Sequence, residues 1–234
     1  MKKIVLCAST RPEMAKIAPL YLELKKRREA GSDIQPILMS TGQHKEMLYQ
    51  VCDVFNIRPD YDLSIMKAGQ DLFDINISIL SKAREFLKEV QPDLVLVHGD
   101  TSSSFVMALA CFYLQIPVGH VEAGLRTYNI YSPYPEEFNR EGIGIISQYN
   151  FAPTPLSKSN LIREGKKEST IYVTGNTIID AMAHTVREDY THPELEWVGD
   201  NRLIFITAHR RENLGEPMHH MFRAIRRVLD EHPD

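Results

Sequence analysis

Residues 94–124 read LVLVHGDTSSSFVMALACFYLQIPVGHVEAG. Leu94–His98 and Val118–Val121 are short apolar runs, and the stretch between them, Ser102–Leu114, is long enough for a helix. Runs that can be buried on both faces, separated by a helix, argue for parallel strands joined by a crossover. The unit repeats outward in both directions. Towards the N-terminus lie strand Ile4–Ala8, a helix from Pro12 to about Ala30, strand Ile34–Ser40, helix Lys45–Phe55 and a long helix from about Asp71 to Val90. Towards the C-terminus follow helix Glu136–Ser147, strand Tyr149–Ala152, helix Leu156–Glu164, strand Ile171–Val173, helix Ile178–Tyr190, strand Leu203–Thr207 and helix Pro217–Leu229. The reading is an α/β fold built on a doubly wound parallel sheet.

Composition narrows the function classes. The chain has 234 residues, a formal net charge of −4 and 43% apolar residues, enough for a sizeable core. Lys and Arg are interspersed with Asp and Glu, so there is no basic stripe to neutralise a nucleic-acid backbone. No apolar run reaches the ~20 residues that span a bilayer, and Met1-Lys2-Lys3 leads directly into a strand rather than a signal-peptide core. A cytoplasmic protein is expected, with no membrane or nucleic-acid partner. Cys7, Cys52 and Cys111 are widely spaced in apolar sequence, which suits buried free thiols rather than disulfides or a zinc site. The segment between Tyr190 and Asp200, interrupted by Thr191-His192-Pro193 and Gly199-Asp200, reads as a linker.

In an open parallel sheet, ligands gather beyond the carboxyl ends of the strands, where the following helices present their N–H groups. After the first strand comes Ser9-Thr10-Arg11-Pro12-Glu13-Met14-Ala15-Lys16. A capping box accounts for Thr10 and Glu13 and leaves Arg11 and Lys16 for an anion. The second strand ends in Thr41-Gly42-Gln43-His44, a turn whose side chains can hydrogen-bond a sugar or phosphate. Leu94–His98 runs into Gly99-Asp100-Thr101, where Asp100 has a competing role as a helix cap. Val118–Val121 ends in Glu122-Ala123-Gly124-Leu125-Arg126-Thr127, and Glu122 has no such structural explanation. Glu136 and Glu137 open a helix, favourably placed against its dipole. Leu203–Thr207 is followed by Ala208-His209-Arg210-Arg211-Glu212-Asn213. Cations, several carboxylates and a histidine at one sheet edge, without metal-ligand spacing or a G-x-G-x-x-G turn, favour an anionic, hydroxyl-rich ligand over a nicotinamide or a metal. A nucleotide sugar is one candidate among several phosphorylated metabolites.

Eight blocks in order extend this reading: Thr10-Arg11-Pro12-Glu13, Thr41-Gly42-Gln43-His44, His98-Gly99-Asp100-Thr101, the run His120–Thr127, Pro135-Glu136-Glu137, Asn139-Arg140, Thr174-Gly175-Asn176-Thr177 and His209-Arg210-Arg211-Glu212-Asn213. Together they resemble the non-hydrolysing UDP-N-acetylglucosamine 2-epimerases. The resemblance implies two Rossmann-like lobes in the glycosyltransferase-B arrangement, here residues 1–175 and an incomplete second lobe from 176 to 234, with the site in the cleft between lobes. It also implies a homodimer without a cofactor that interconverts UDP-N-acetylglucosamine and UDP-N-acetylmannosamine. By motif position Asp100, Glu122 and Glu136 match the family's acid/base carboxylates, and His209 a histidine acting with them. Arg11, Lys16 and Arg140 fall at substrate-binding positions, and Gln43 and His44 in a region where a second substrate molecule activates some members. Ser9 and Ala208 stand where the family more often has Gly. A hydrolysing 2-epimerase, a non-catalytic nucleotide-sugar binding fragment and a related glycosyltransferase are the competing readings.

Overall fold

A computed structural model describes residues 1–42, 45–67, 69–208 and 213–232. Seven strands form one parallel sheet: β1 (Lys2–Ala8), β2 (Ile34–Ser40), β3 (Tyr61–Asp62), β4 (Leu94–His98), β5 (Val118–Val121), β6 (Tyr149–Ala152) and β7 (Ile171–Val173). Their spatial order is β3-β2-β1-β4-β5-β6-β7. Between them run α1 (Arg11–Glu29), α2 (Lys45–Val54), α3 (Leu72–Val90), α4 (Ser102–Tyr113), α5 (Glu136–Ile146) and α6 (Pro155–Arg163), and after β7 comes α7 (Thr177–Thr185). The chain winds outward from β1 to β3, returns to place β4 beside β1, and winds the other way to β7. The reversal between β1 and β4 opens a crevice beyond their carboxyl ends, the place where ligands bind in such sheets.

The period-two alternation of the strands divides the core between two layers. Val5, Cys7, Ile37, Met39, Val95 and Val97 pack with Ala83, Phe86, Leu87, Met107, Ala108 and Cys111 of α3 and α4. Leu6, Ala8, Leu38, Leu96 and Val121 pack with Met14, Ile17 and Ala18 of α1, Leu48 and Cys52 of α2, and Ala181 of α7. All three cysteines are buried and unpaired. Burial pushes Cys111 up to about 12 and Cys52 up to about 11, so both stay protonated and unreactive at neutral pH.

Two compact units are present, Met1–Val186 and Arg187–Asp234. Helix α7 lies in the first and packs on α1. The second contains α8 (Pro193–Val198) and α9 (Glu216–Glu231). Three expectations change. Tyr61–Asp62 pairs with Met39 and Ser40 as an edge strand that two residues of sequence did not announce. The linker of 190–200 contains α8, because the His192 ring accepts from Glu194 N–H and Pro193 occupies the first turn. Leu203–Thr207 forms no strand. Its residues lie 45–86% exposed from Leu203 to Ile206, and without a neighbour among the described residues to complete a hydrogen-bond ladder, apolar sequence alone does not make a sheet.

Candidate active site

The carboxyl ends of β1, β4 and β5 bring their following turns together. After β1, Thr10 caps α1 and forms the expected capping box with Glu13. Arg11 is exposed at the first turn of α1, with no ion pair to a described carboxylate. Lys16, one turn further, is held by a carboxylate that the sequence did not announce as its partner. Its ammonium lies 2.6 Å from Glu122 Oε1, because the turn after β5 brings that carboxylate over α1.

The competing cap role of Asp100 is excluded by geometry. Thr101 is the N-cap of α4, its hydroxyl accepting from Ser104 N–H at 3.1 Å. Asp100 is thereby left to the site. Its carboxylate pairs with Arg140 Nη2 at 2.5 Å, and its backbone carbonyl accepts from Asn139 Nδ2 at 2.8 Å. Burial raises the Asp100 carboxyl above the usual range; Arg140 opposes this, while Glu122 and Glu136 add to it.

Glu122 follows β5 with φ of +67°, a conformation that costs a non-glycine residue on the order of 1–3 kcal/mol and concentrates at functional sites. Its Oε1 accepts from Lys16 and from Asn176 Nδ2 at 2.8 Å, and Oε2 lies 3.7 Å from His98 Nε2. Burial alone would raise this carboxyl, but the His98 ring, the Lys16 ammonium and the Asn176 amide outweigh it and hold Glu122 below the usual range. Two carboxyls that influence each other are thus pushed in opposite directions, Asp100 up and Glu122 down.

Two residues later Gly124, at φ +86°, fits because a Cβ there would collide with the Ser157 carbonyl. Gly124→Ala is expected to cost roughly 2 kcal/mol or more, read by chemical denaturation.

Helix α5 closes the site from the β5 side. Glu136 sits in its first turn, with Oε2 buried and without a hydrogen-bond partner among the described residues. Glu137 is fully buried and accepts from the N–H groups of Thr127 (2.6 Å) and Tyr128 (2.9 Å) and from Arg140 Nη1 (2.9 Å). Helix-dipole placement therefore describes Glu137 incompletely: it fixes the loop after β5 and holds the arginine that holds Asp100.

His120 is buried, and its Nε2–H donates to the Gly99 carbonyl at 2.7 Å, tying β5 to the turn that carries Asp100. Burial brings its pKa down to about 3. An unfolded His120 takes up a proton near pH 6.5 and the folded one does not, so the stability it contributes is complete above about pH 6.5 and falls as pH drops towards 3. His120→Gln should flatten that acid slope, measured by thermal denaturation across pH.

The structure therefore brings together Lys16, Asp100, Glu122, Glu136 and Arg140, with Arg11 exposed at the rim on α1. Gln43, His44 and His209 lie outside the described residues. Asn176 and the His98 ring were missed as partners of Glu122, although both stood inside blocks quoted from the sequence. Among the described residues no group of three His, Cys, Asp or Glu is arranged to hold a metal ion, and no helix is long and apolar enough to cross a membrane.

The fold is thus a doubly wound α/β sheet with paired cations and carboxyls of separated acidity at its switch point. Residues 26–234 match the family model for UDP-N-acetylglucosamine 2-epimerase, and the chain belongs to that family. It is 54% identical to the UDP-N-acetylglucosamine 2-epimerase of Bacillus subtilis (strain 168) over 99% of its own length and 60% of that protein's. A crystal structure of a protein assigned to the same family, from Listeria monocytogenes, superposes with a TM-score of 0.94 at 51% identity, covering 100% of this chain and 61% of that one. The Neisseria meningitidis enzyme, solved bound to UDP-GlcNAc, gives a TM-score of 0.87 at 44% identity, covering 100% of this chain and 64% of that one. The chain thus spans about 60% of the length of the relatives it matches.

Proposed function

We propose that this site performs the proton transfers of a reversible C2 epimerisation between UDP-N-acetylglucosamine and UDP-N-acetylmannosamine. In the first step a carboxylate takes the C2 proton, C1=C2 forms, and the C1–O bond breaks to release UDP in an anti elimination. In the second, UDP re-adds to C1 of the 2-acetamidoglucal while C2 is protonated from the opposite face. Inversion at C2 requires an acid/base group on each face, and cations for the departing diphosphate.

The observation that carries the reading is the convergence of Asp100, Glu122 and Glu136 with Lys16 and Arg140 at the β1/β4 switch point. Asp100, raised by burial, is the stronger proton acceptor of the linked pair. Glu136 has a buried oxygen with no hydrogen-bond partner among the described residues and serves the other face. Glu122, already accepting two hydrogen bonds and held low, stays ionised and fixes Lys16, which with Arg11 faces the diphosphate. His209, Gln43 and His44 enter this proposal by motif position alone. A homodimer and a cytoplasmic setting belong to it as well: exposed Phe73, Ile77 and Tyr113 on α3 and α4 offer a second copy an apolar face, and three buried thiols suit a reducing compartment.

Product identity tests the reading. With UDP-N-acetylglucosamine, this chain should turn over slowly or not at all, because about 40% of the length of its relatives is not in it. Extended to their length, it should yield the UDP-linked manno epimer. Turnover by the 234-residue chain at a rate typical of intact enzymes would show the remainder to be dispensable, and release of free N-acetylmannosamine would transfer the assignment to the hydrolysing class.

A further inference from the structure

Glu13 forms half of a capping box, but that role uses only part of its carboxylate. Oε2 accepts from Ser9 N–H at 2.9 Å and Thr10 N–H at 2.8 Å, and also contacts the hydroxyls of Ser9 and Thr10. Oε1 faces the other way, across to α4, where Thr101 Oγ1 donates at 2.7 Å. The Ser104 hydroxyl lies 2.8 Å from both Glu13 Oε1 and the His98 carbonyl and donates to one at a time. Glu13 is 3% exposed and Ser104 1%. One buried carboxylate therefore sits at the N-termini of two helices that begin on either side of the switch point, with its charge opposite both dipoles. It meets N–H and O–H groups of those turns that an anionic ligand would otherwise attract.

We infer that Glu13 is a positioning residue, joining the turn that carries Arg11 and Lys16 to the turn that carries Asp100. The residues on either side of the join are the ones the proposed reaction needs in fixed relation: Lys16 lies one helical turn beyond Glu13, and Asp100 immediately precedes Thr101. A shift of ~1 Å between such groups is enough to lower a rate about 100-fold. Ser9 strengthens the join. Its hydroxyl turns inward onto Glu13 and lies 3.4 Å from Thr101 Oγ1. Only the identity of the reaction rests on the epimerase reading; the positioning stands apart from it.

The test reads Asp100 without substrate. Asp100 is faced by Arg140, Glu136 and the Arg140-bound Glu137 from α5, and by Glu122 from the turn after β5. In the 234-residue chain its side-chain carboxyl is followed by carbon-13 NMR against pH, together with amide exchange at Thr101 and Ser104. Glu13→Gln puts an amide nitrogen against donors; the Asp100 midpoint should fall towards the ordinary carboxylate range as its turn loosens, and the two amides should exchange at least tenfold faster. Thr101→Val should reproduce the Asp100 shift, and Thr101→Ser, which restores the hydroxyl, should reverse it. That pair decides the matter if Glu13→Gln does not fold. An unmoved Asp100 titration in folded Glu13→Gln, or equal behaviour of Thr101→Val and Thr101→Ser, would overturn the inference. Failure of the extended chain to exchange the sugar C2 proton would instead count against the epimerase reading and leave the titration result as it stands.

Discussion

Asp100→Asn is expected to slow C2 proton exchange on UDP-N-acetylglucosamine by about 10²–10⁴-fold in the chain extended to its relatives' length, the range that one general acid/base contributes. The amide keeps the shape of the carboxyl and its place at the end of β4. It cannot accept the proton, and it no longer carries the charge that Arg140 meets at 2.5 Å. Folding should survive, since Thr101 rather than Asp100 caps α4, so a folded but silent variant is the expected outcome. Retention of exchange within a few-fold of the unsubstituted protein would move the proton-carrying role to another carboxylate. Glu122→Gln is the informative companion: it should act through Lys16, weakening substrate binding as well as turnover.

Glu137→Ala is expected to be among the most destabilising single changes in the first unit, by roughly 3–5 kcal/mol, on the order of 10 °C in Tm. The cost comes from what is left behind. Two backbone N–H groups, of Thr127 and Tyr128, lose their acceptor in a site that Glu137 fills with no solvent exposure, and Arg140 loses one of its two carboxylates. Burial alone would raise Glu137; the Thr127 and Tyr128 N–H groups and Arg140 outweigh it and hold it below the usual range. Its stabilising effect is accordingly present above the ordinary glutamate pKa and lost as pH falls through the lowered folded value. Glu137→Gln should recover part of the loss by keeping one oxygen for the backbone groups. A Tm within 2 °C of the parent for Glu137→Ala would show that the loop after β5 is held by other contacts.

Most of the sheet was legible because a buried parallel strand announces itself as an apolar run. Six runs from Ile4–Ala8 to Ile171–Val173 correspond to β1, β2 and β4–β7. Strand β3 was not legible, since Tyr61 and Asp62 are polar-edged, two residues long and owe their conformation to pairing with β2. Leu203–Thr207 failed for the complementary reason: it has the composition of a strand and no ladder partner among the described residues. In the site, residue type and position after a strand singled out Glu122, whereas Asp100 and Glu136 had competing structural roles and were chosen by motif position alone. Partnership was not readable. That Thr101 would take the cap and release Asp100, that Lys16 would be drawn to Glu122, and that Glu13 and Glu137 would each serve several donors depend on the distances between turns far apart in sequence. Periodicity carries no information about those distances.

In the proposed reaction, carboxyls at the β1/β4 switch point move the C2 proton of a UDP-linked amino sugar. It is tested most directly by incubating the chain, extended to the length of its relatives, with UDP-N-acetylglucosamine in deuterated water and following the C2 and anomeric signals by NMR. The expected result is loss of the C2 proton signal with appearance of a UDP-linked manno epimer, and neither at a comparable rate in Asp100→Asn. A folded protein that binds the nucleotide sugar yet leaves the C2 proton in place, or an Asp100→Asn variant that exchanges it at the parent rate, would contradict it.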